Sequence, residues 1–377
     1  MECKFIQHGL AISYDQIVKP CCMWQITPEW RESNQLAHTN LVTWHSSPPV
    51  LKEKQVLDAD QWPTACARCE NIESQGRVDS MRGNGNHSYA NYQDSDITLE
   101  IRPGNTCNFA CQTCWPEASS RVAQYQSQAG MIDIKSVDSR RMDDFEFLLP
   151  IADQIKNVVL LGGEPFYDKA CLKFLSWAQK HLTADLMMFT NGSAVDVEFL
   201  KSYPGRITLI FSIDAVGSAA EYIRYGIVWE EFLANYQTVK TLANVDVRVN
   251  VTLSVYNYTL VPEIIDMLCE SWPSVVTFGI PFQPYFKESA VPLNLRPKII
   301  ASLTQAIQQL MHTPIESGQQ TNAVKVLGSV VNNLKSTEFD PELYNQLVDF
   351  VAKMDRVKGT DAAQVPFLHE LVQQKVS

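Results

Sequence analysis

The residues of this chain best suited to chemistry are Cys107, Cys111 and Cys114, in the run Gly104-Asn-Thr-Cys-Asn-Phe-Ala-Cys-Gln-Thr-Cys. A solitary cysteine usually fills space as a small buried hydrophobe. Three this close, in a stretch loosened by Gly104, Asn105 and Asn108, ask for a metal. A closed tetrahedral site takes four protein ligands and this loop offers three, so one coordination position stays open. In a cuboidal 4Fe-4S cluster a three-cysteine cradle leaves one iron free to hold a small molecule, which makes such a cluster a reaction centre.

A second set of thiols precedes it: Cys3, the adjacent pair Cys21 and Cys22, and Cys66-x-x-Cys69. Five thiols suffice for one four-ligand site with one left over, and two adjacent side chains rarely ligate one atom well. The ligand set is therefore Cys3, Cys21, Cys66 and Cys69, with Cys22 as the alternative to Cys21. His8 is a weaker fifth candidate, and thiolate spacing alone leaves zinc and 4Fe-4S both open.

Further polar groups cluster where strands end. Gly162-Gly163-Glu164-Pro165 closes a strand-like run, and two glycines at a strand end let a ligand approach bare backbone. Asn191 stops another run. Ser212 and Asp214 alternate onto one strand face, opposite Phe211 and Ile213, and invite a ribose or a polar substrate group; Asp214 is also placed to cap the following helix. Asn250 and Thr252 share a face, Ile280 and Pro281 offer an apolar wall, and Arg224 follows Asp214 by ten residues. Cys171 and Cys269 fall in helical patterns and read as core thiols.

The elements that position these residues alternate. Strand-like runs at 97–102, 157–161, 186–190, 207–213, 245–253 and 275–280 are separated by helical patterns at 117–128, 142–155, 168–181, 195–203, 229–243 and 259–271. Six strands alternating with helices predict an α/β fold with a parallel sheet and right-handed crossovers. Residues 1–95 read as a small, loop-rich, cysteine-framed module, 96–284 as the α/β domain, and 285–377 as a helical extension with amphipathic runs near 299–310, 322–334 and 341–357. That extension reads as a cap over the open side of the α/β domain. It holds no cysteine and cannot ligate a cluster through thiolates.

The Cys-x-x-x-Cys-x-x-Cys spacing after a first strand, followed by Gly-Gly-Glu-Pro after a second, resembles the radical S-adenosylmethionine enzymes. The resemblance implies a partial (β/α)6 barrel in which Cys107, Cys111 and Cys114 hold a 4Fe-4S cluster. Its free iron binds S-adenosylmethionine, which is cleaved reductively to a 5′-deoxyadenosyl radical that takes a hydrogen from substrate. It also implies that Gly162, Gly163, Glu164 and Pro165 cradle the methionyl amino group, that Asn191, Ser212 and Asp214 face the cofactor, that Arg224 pairs with its carboxylate, and that Ile280 lies against adenine. The N-terminal wording, Pro20-Cys21-Cys22 and Pro63 to Cys69 followed by Glu73, Gly76 and Ser80-Met81-Arg82, is similar to the auxiliary-cluster (twitch, SPASM-like) module of some members, here placed before the catalytic domain. A second 4Fe-4S cluster, a reducing partner such as flavodoxin or ferredoxin, and a peptide or protein substrate follow from the resemblance. Oxidation of a small metabolite, or an iron-sulfur protein that binds S-adenosylmethionine without turnover, are the alternatives.

Composition sets the outer bounds. With 377 residues, 45% of them hydrophobic, the chain can fill more than one core, and a net charge of -11 disfavours sequence-independent binding to nucleic acid or an acidic membrane. No targeting pattern opens the chain and no window is apolar enough to span a bilayer, so a cytoplasmic protein with reduced thiols is expected.

Overall fold

A computed structural model describes residues 1–74, 80–83, 92, 93, 95–269, 273, 275–313 and 317–374, with backbone only over 317–321. Gly76 lies outside the described residues. The fold is α/β, and its eight strands are β1 (Gly9–Ser13), β2 (Val18–Lys19), β3 (Ile97–Arg102), β4 (Ile155–Leu160), β5 (Asp185–Thr190), β6 (Ile207–Ser212), β7 (Val245–Thr252) and β8 (Val275–Gly279). They are hydrogen bonded in the order β2-β1-β3-β4-β5-β6-β7-β8. The described pairings of β1 with β3, β3 with β4, β4 with β5 and β7 with β8 are parallel, and β1 with β2 is antiparallel.

Two strands come from a stretch expected to be loop-rich. β1 is five residues long and contains Gly9 and Ala11, too short and too small-chained to announce itself, yet it is bonded along its whole length to β3, from Gly9 opposite Thr98 to Ser13 opposite Arg102. Parallel pairing to a buried neighbour overrides its weak propensity. The remainder of the stretch hangs on tryptophans: Trp30 Nε1 donates to Val18 O at 2.9 Å, Asn34 Nδ2 to Trp30 O at 3.1 Å, and Trp44 Nε1 to Asn34 Oδ1 at 2.9 Å.

The chain forms two compact units. The first comprises Met1–Asn105, Ser139–Met188 and Ser202–Ile207; the second comprises Thr106–Asp138, Phe189–Lys201 and Thr208–Ser377. In the first, the parallel register sets Leu99 beside Val158 and Val158 beside Leu186, all fully buried. Helix Lys169–His181 begins where Asp168 accepts from Ala170 N, and buries Cys171, Phe174, Leu175 and Trp177. Phe145 meets Phe174 edge-on at 5.2 Å. The segment before β4 is a 3-10 run, Glu146–Gln154, and not the expected α-helix: Pro150 removes an amide donor in its middle.

In the second unit, Phe211 of β6 meets Phe232 and Tyr236 of helix Trp229–Lys240 edge-on at 5.9 and 5.2 Å. Helix Gly217–Ile223, absent from the sequence pattern, carries the chain from β6 to Arg224. The C-terminal helices are Arg296–His312, Ser317–Ser336, Pro341–Lys358 and Pro366–Val372. Arg296, 3% exposed, staples the first two to the preceding loop by donating to Val291 O and Leu334 O at 2.9 Å and to Thr337 O. Cys269 is exposed, its Sγ 3.7 Å from Thr313 Oγ1, which corrects its assignment to the core; Cys171 is fully buried.

Candidate metal centres

The three-cysteine loop lies wholly in the second unit and is held open by backbone bonds rather than by regular structure. Ala110 N donates to Tyr225 O and Gln112 N to Ile223 O, both at 2.8 Å, so the loop is laced to the chain that follows helix Gly217–Ile223. Gly226, at φ +113°, permits the approach: a Cβ there would stand 3.0 Å from Asn108 O and from Phe109 Cδ1. Phe109 N points at Cys107 Sγ from 3.4 Å, and Asn191 Nδ2 stands 3.7 Å from the same sulfur while donating to Asn108 Oδ1 at 2.8 Å. Amide donors around a sulfur favour its thiolate form.

The thiols share one electrostatic environment. Burial pushes the pKa of Cys114 above its ordinary value, and the charges of Cys111 and Cys107 push it further. Burial likewise raises Cys111, against the pull of Arg224. A cation placed among them would reverse these shifts, because metal binding takes the thiolate and releases the proton.

Arg224 is 8% exposed, and its Nη1 donates to Asp214 Oδ2 at 2.8 Å. Burial works against the guanidinium charge, but Cys111, Asp214 and Cys107 outweigh it and raise the pKa above the usual arginine value. Arg224 Nε is buried with no hydrogen-bond partner. Asp214 Oδ1 accepts from Thr252 N at 2.8 Å and its carbonyl from Asn257 Nδ2 at 2.9 Å, so the carboxylate ties β6 to β7. It does not cap the next helix, whose N-cap is Val216 with no side-chain bond. Ser212 and Ile280 are half-buried in the same unit, as are Asn250 and Thr252.

The Gly162-to-Pro165 turn belongs to the first unit. A Cβ on Gly162 would lie 2.8 Å from Cys171 Sγ, so this glycine admits the helix behind the turn. Glu164 is fully buried; its Oε1 takes Phe166 N at 3.4 Å and its carbonyl takes Tyr167 and Asp168 N–H groups, closing the turn. Gly163 is half-buried and Pro165 buried.

The N-terminal thiols, also in the first unit, face one small cavity. Cys3, Cys21, Cys66 and Cys69 line it together with Ile6, Trp24, Trp62 and Arg82, and Cys22 does not. Cys22 turns instead to the Glu100 carboxylate on β3, where burial and that neighbour raise its pKa. Burial, with Cys3 and Cys69 close by, pushes Cys66 up to about 12. Arg82 donates Nε to Glu73 Oε1 at 3.0 Å and Nη1 to Glu2 O at 2.9 Å, and Ser80 Oγ reaches the same Oε1; Met81 and Arg82 line the cavity, and Glu73 and Ser80 hold Arg82 there. Four thiols from three stretches of chain around an otherwise largely apolar cavity are the donor set a four-thiolate centre requires. His8 faces elsewhere, its Nδ1 3.0 Å from Asp96 O. Among the described residues no group of three or more His, Cys, Asp or Glu is arranged to hold a single metal ion; in a cubane each thiolate binds a different iron.

Lys358 was not legible as part of this machinery. It ends helix Pro341–Lys358, is 6% exposed, and its Nζ donates to Ala110 O at 2.7 Å and Gln112 Oε1 at 3.0 Å within the three-cysteine loop. Burial pulls its pKa down to about 8, against the opposing charges of Cys111, Asp355 and Cys114. A lysine followed by glycine at a helix end reads as an ordinary C-terminal cap, so nothing in its wording marks it.

No family model and no curated protein matches the chain. Among solved structures it is similar to Streptococcus suis SuiB bound to S-adenosylmethionine, at 16% identity and a TM-score of 0.37, over 60% of this chain and 48% of that one. It is similar to anSMEcpe with bound AdoMet, at 18% identity and a TM-score of 0.41, over 56% of this chain and 59% of that one. A further match is anSMEcpe with AdoMet and the Kp18Cys peptide, at 17% identity and a TM-score of 0.40, over 56% and 59% of the two chains. The matched region thus spans less than two thirds of each of those chains.

Proposed function

We propose that the chain is a radical S-adenosylmethionine enzyme with an auxiliary iron-sulfur centre. The observation that carries the reading is the loop of Cys107, Cys111 and Cys114: three half-buried cysteines in one another's field, beside a buried guanidinium, in the spacing that resembles that superfamily. Cys107, Cys111 and Cys114 would hold a 4Fe-4S cluster. When bound, that cluster and S-adenosylmethionine supply one-electron cleavage of the sulfonium to a 5′-deoxyadenosyl radical, which abstracts hydrogen from substrate.

The chain's own residues do the rest. Asn191 and Phe109 N–H direct donors at Cys107 Sγ and so bias it toward thiolate. Asp214 fixes the Arg224 guanidinium through Nη1 and leaves Nε unpartnered, so Arg224 keeps donor capacity for the cofactor carboxylate. Ser212 is assigned to the ribose side, Ile280 to the adenine, and Gly162, Gly163, Glu164 and Pro165 to the methionyl amino group; these assignments rest on the resemblance. Cys3, Cys21, Cys66 and Cys69 are assigned to a second 4Fe-4S cluster, supported by their common cavity. A peptide or protein substrate and a flavodoxin- or ferredoxin-type reductant complete the reading.

Electron paramagnetic resonance tests it. After anaerobic reconstitution and dithionite reduction, the spectrum should contain a cluster signal that changes on adding S-adenosylmethionine. The signal and its change should both be absent from Cys111→Ala. A reduced spectrum indifferent to S-adenosylmethionine would contradict an open coordination site.

A further inference from the structure

We infer that Lys358 is a positioning residue for the three-cysteine loop: its buried ammonium clamps residues 110–112 and fixes a positive charge beside the thiolates. The inference builds on the reading of Cys107, Cys111 and Cys114 as cluster ligands, and adds a role for the C-terminal extension that cysteine spacing does not suggest.

The geometry is that of a clamp closed from two sides. On one side the loop amides of Ala110 and Gln112 are bonded to Tyr225 O and Ile223 O at 2.8 Å. On the other, Lys358 Nζ takes up the carbonyl of the same Ala110 at 2.7 Å and the side chain of the same Gln112 at 3.0 Å. Gln112 is itself buried, and its Nε2 lies 3.4 Å from Tyr222 O. The two residues gripped are those flanking Cys111.

The lysine is in turn held in place. Its ammonium stands 5.4 Å from the Tyr225 ring centre, a cation–π contact, and Tyr225 Oη donates back to the Lys358 carbonyl at 2.9 Å. The helix stops there because Gly359 takes the left-handed conformation, φ +68°, with its N–H on Asp355 O. Asp355 then accepts from Thr360 Oγ1 at 2.7 Å and Ala362 N at 3.0 Å, which fastens the chain beyond the lysine.

A buried ammonium is costly, and a packing role alone would be served better by an apolar side chain. What an ammonium offers is charge. Lys358 Nζ is bonded to both residues that flank Cys111, and a charge fixed there acts by Coulomb's law on any negative charge held by the loop. An added electron on a cluster there would be favoured by the lysine, so Lys358 would raise the reduction potential as well as hold the loop.

The test uses the full chain and two independent readouts. In the metal-free protein, Lys358→Met should speed hydrogen exchange of the 107–114 amides by roughly ten-fold or more, since the loop loses one side of its clamp. Lys358→Arg, which keeps the charge, should exchange more slowly than Lys358→Met. In the reconstituted protein, a redox titration followed by electron paramagnetic resonance should place the midpoint of the Lys358→Met cluster below that of the parent. At the parent's midpoint potential, the variant should hold about ten-fold less reduced cluster. Should Lys358→Met not fold, Gln112→Ala deletes one acceptor while leaving the ammonium on Ala110 O, and should still speed loop exchange. Unchanged exchange in both Lys358→Met and Gln112→Ala would overturn the clamp, and an unchanged midpoint in Lys358→Met would overturn the electrostatic role. Exchange in the metal-free protein does not depend on a cluster forming, so it separates failure of this inference from failure of the radical reading.

Discussion

Asp214 and Arg224 form a buried ion pair that ties the end of β6 to β7. Each is nearly inaccessible, and the carboxylate spends one oxygen on Arg224 and the other on Thr252 N. Removing one member leaves the other charged, buried and unpaired, which costs about 3–5 kcal/mol, more than the pair itself contributes. Asp214→Ala should therefore lower the urea midpoint of the metal-free protein far more than Ser212→Ala does; equal midpoints would mean that solvent reaches Arg224. The wording Ser-x-Asp marked this residue as polar and inward. It could not reveal that the carboxylate's partner is Arg224, because seven of the nine intervening residues fold into a helix, Gly217–Ile223, that the sequence pattern did not place.

His45 supplies a second test at the same scale. Burial holds its pKa down to about 4, with Nε2 3.0 Å from Gly9 O at the start of β1. A folded-state pKa below the ordinary 6.5 means that the unfolded chain binds the proton first as pH falls. The stability His45 contributes is thus present above about pH 6.5 and is lost toward pH 4. His45→Gln keeps a donor for Gly9 O and does not titrate, so its loss of stability between pH 7.5 and 5 should be smaller than the parent's, read from denaturation midpoints at each pH. Parallel curves would remove His45 from the account.

At the scale of elements, Cys21 and Cys22 are adjacent in sequence and differ in surroundings. One side chain enters the cavity with Cys3, Cys66 and Cys69, and the next turns to Glu100 on β3. Cys21→Ser should therefore cost close to four irons per chain at the N-terminal centre, whereas Cys22→Ser should retain them, as measured by iron and sulfide content after reconstitution. The reverse pattern would exchange their roles. Period-two wording and apolar runs foretold β3 to β8: β5, β7 and β8 bury every second residue, and β3 is buried almost throughout. They could not foretell β1 and β2, whose short runs become strands because β1 pairs with β3 and β2 in turn with β1. The run before β4 carried helical spacing, and Phe145, Leu148 and Ile151 are indeed buried, but Pro150 converts the turn to 3-10 and leaves Leu149 exposed.

At the scale of the whole molecule, the spacing of Cys107, Cys111 and Cys114 is visible in the sequence, while the contact of Lys358 with their loop is not. Lys358 lies 246 residues from Gln112, and contacts of that separation leave no local signature. Among the described residues no helix is long and apolar enough to cross a membrane. The central claim concerns one loop, and one measurement addresses it most directly: chromatographic detection of 5′-deoxyadenosine after the anaerobically reconstituted, reduced full chain is incubated with S-adenosylmethionine. The account predicts its formation by the parent and by Cys22→Ser, and none above background from Cys107→Ala, Cys111→Ala or Cys114→Ala. Formation at the parent rate by any of those three variants, or none by a parent shown to carry its clusters, would contradict it.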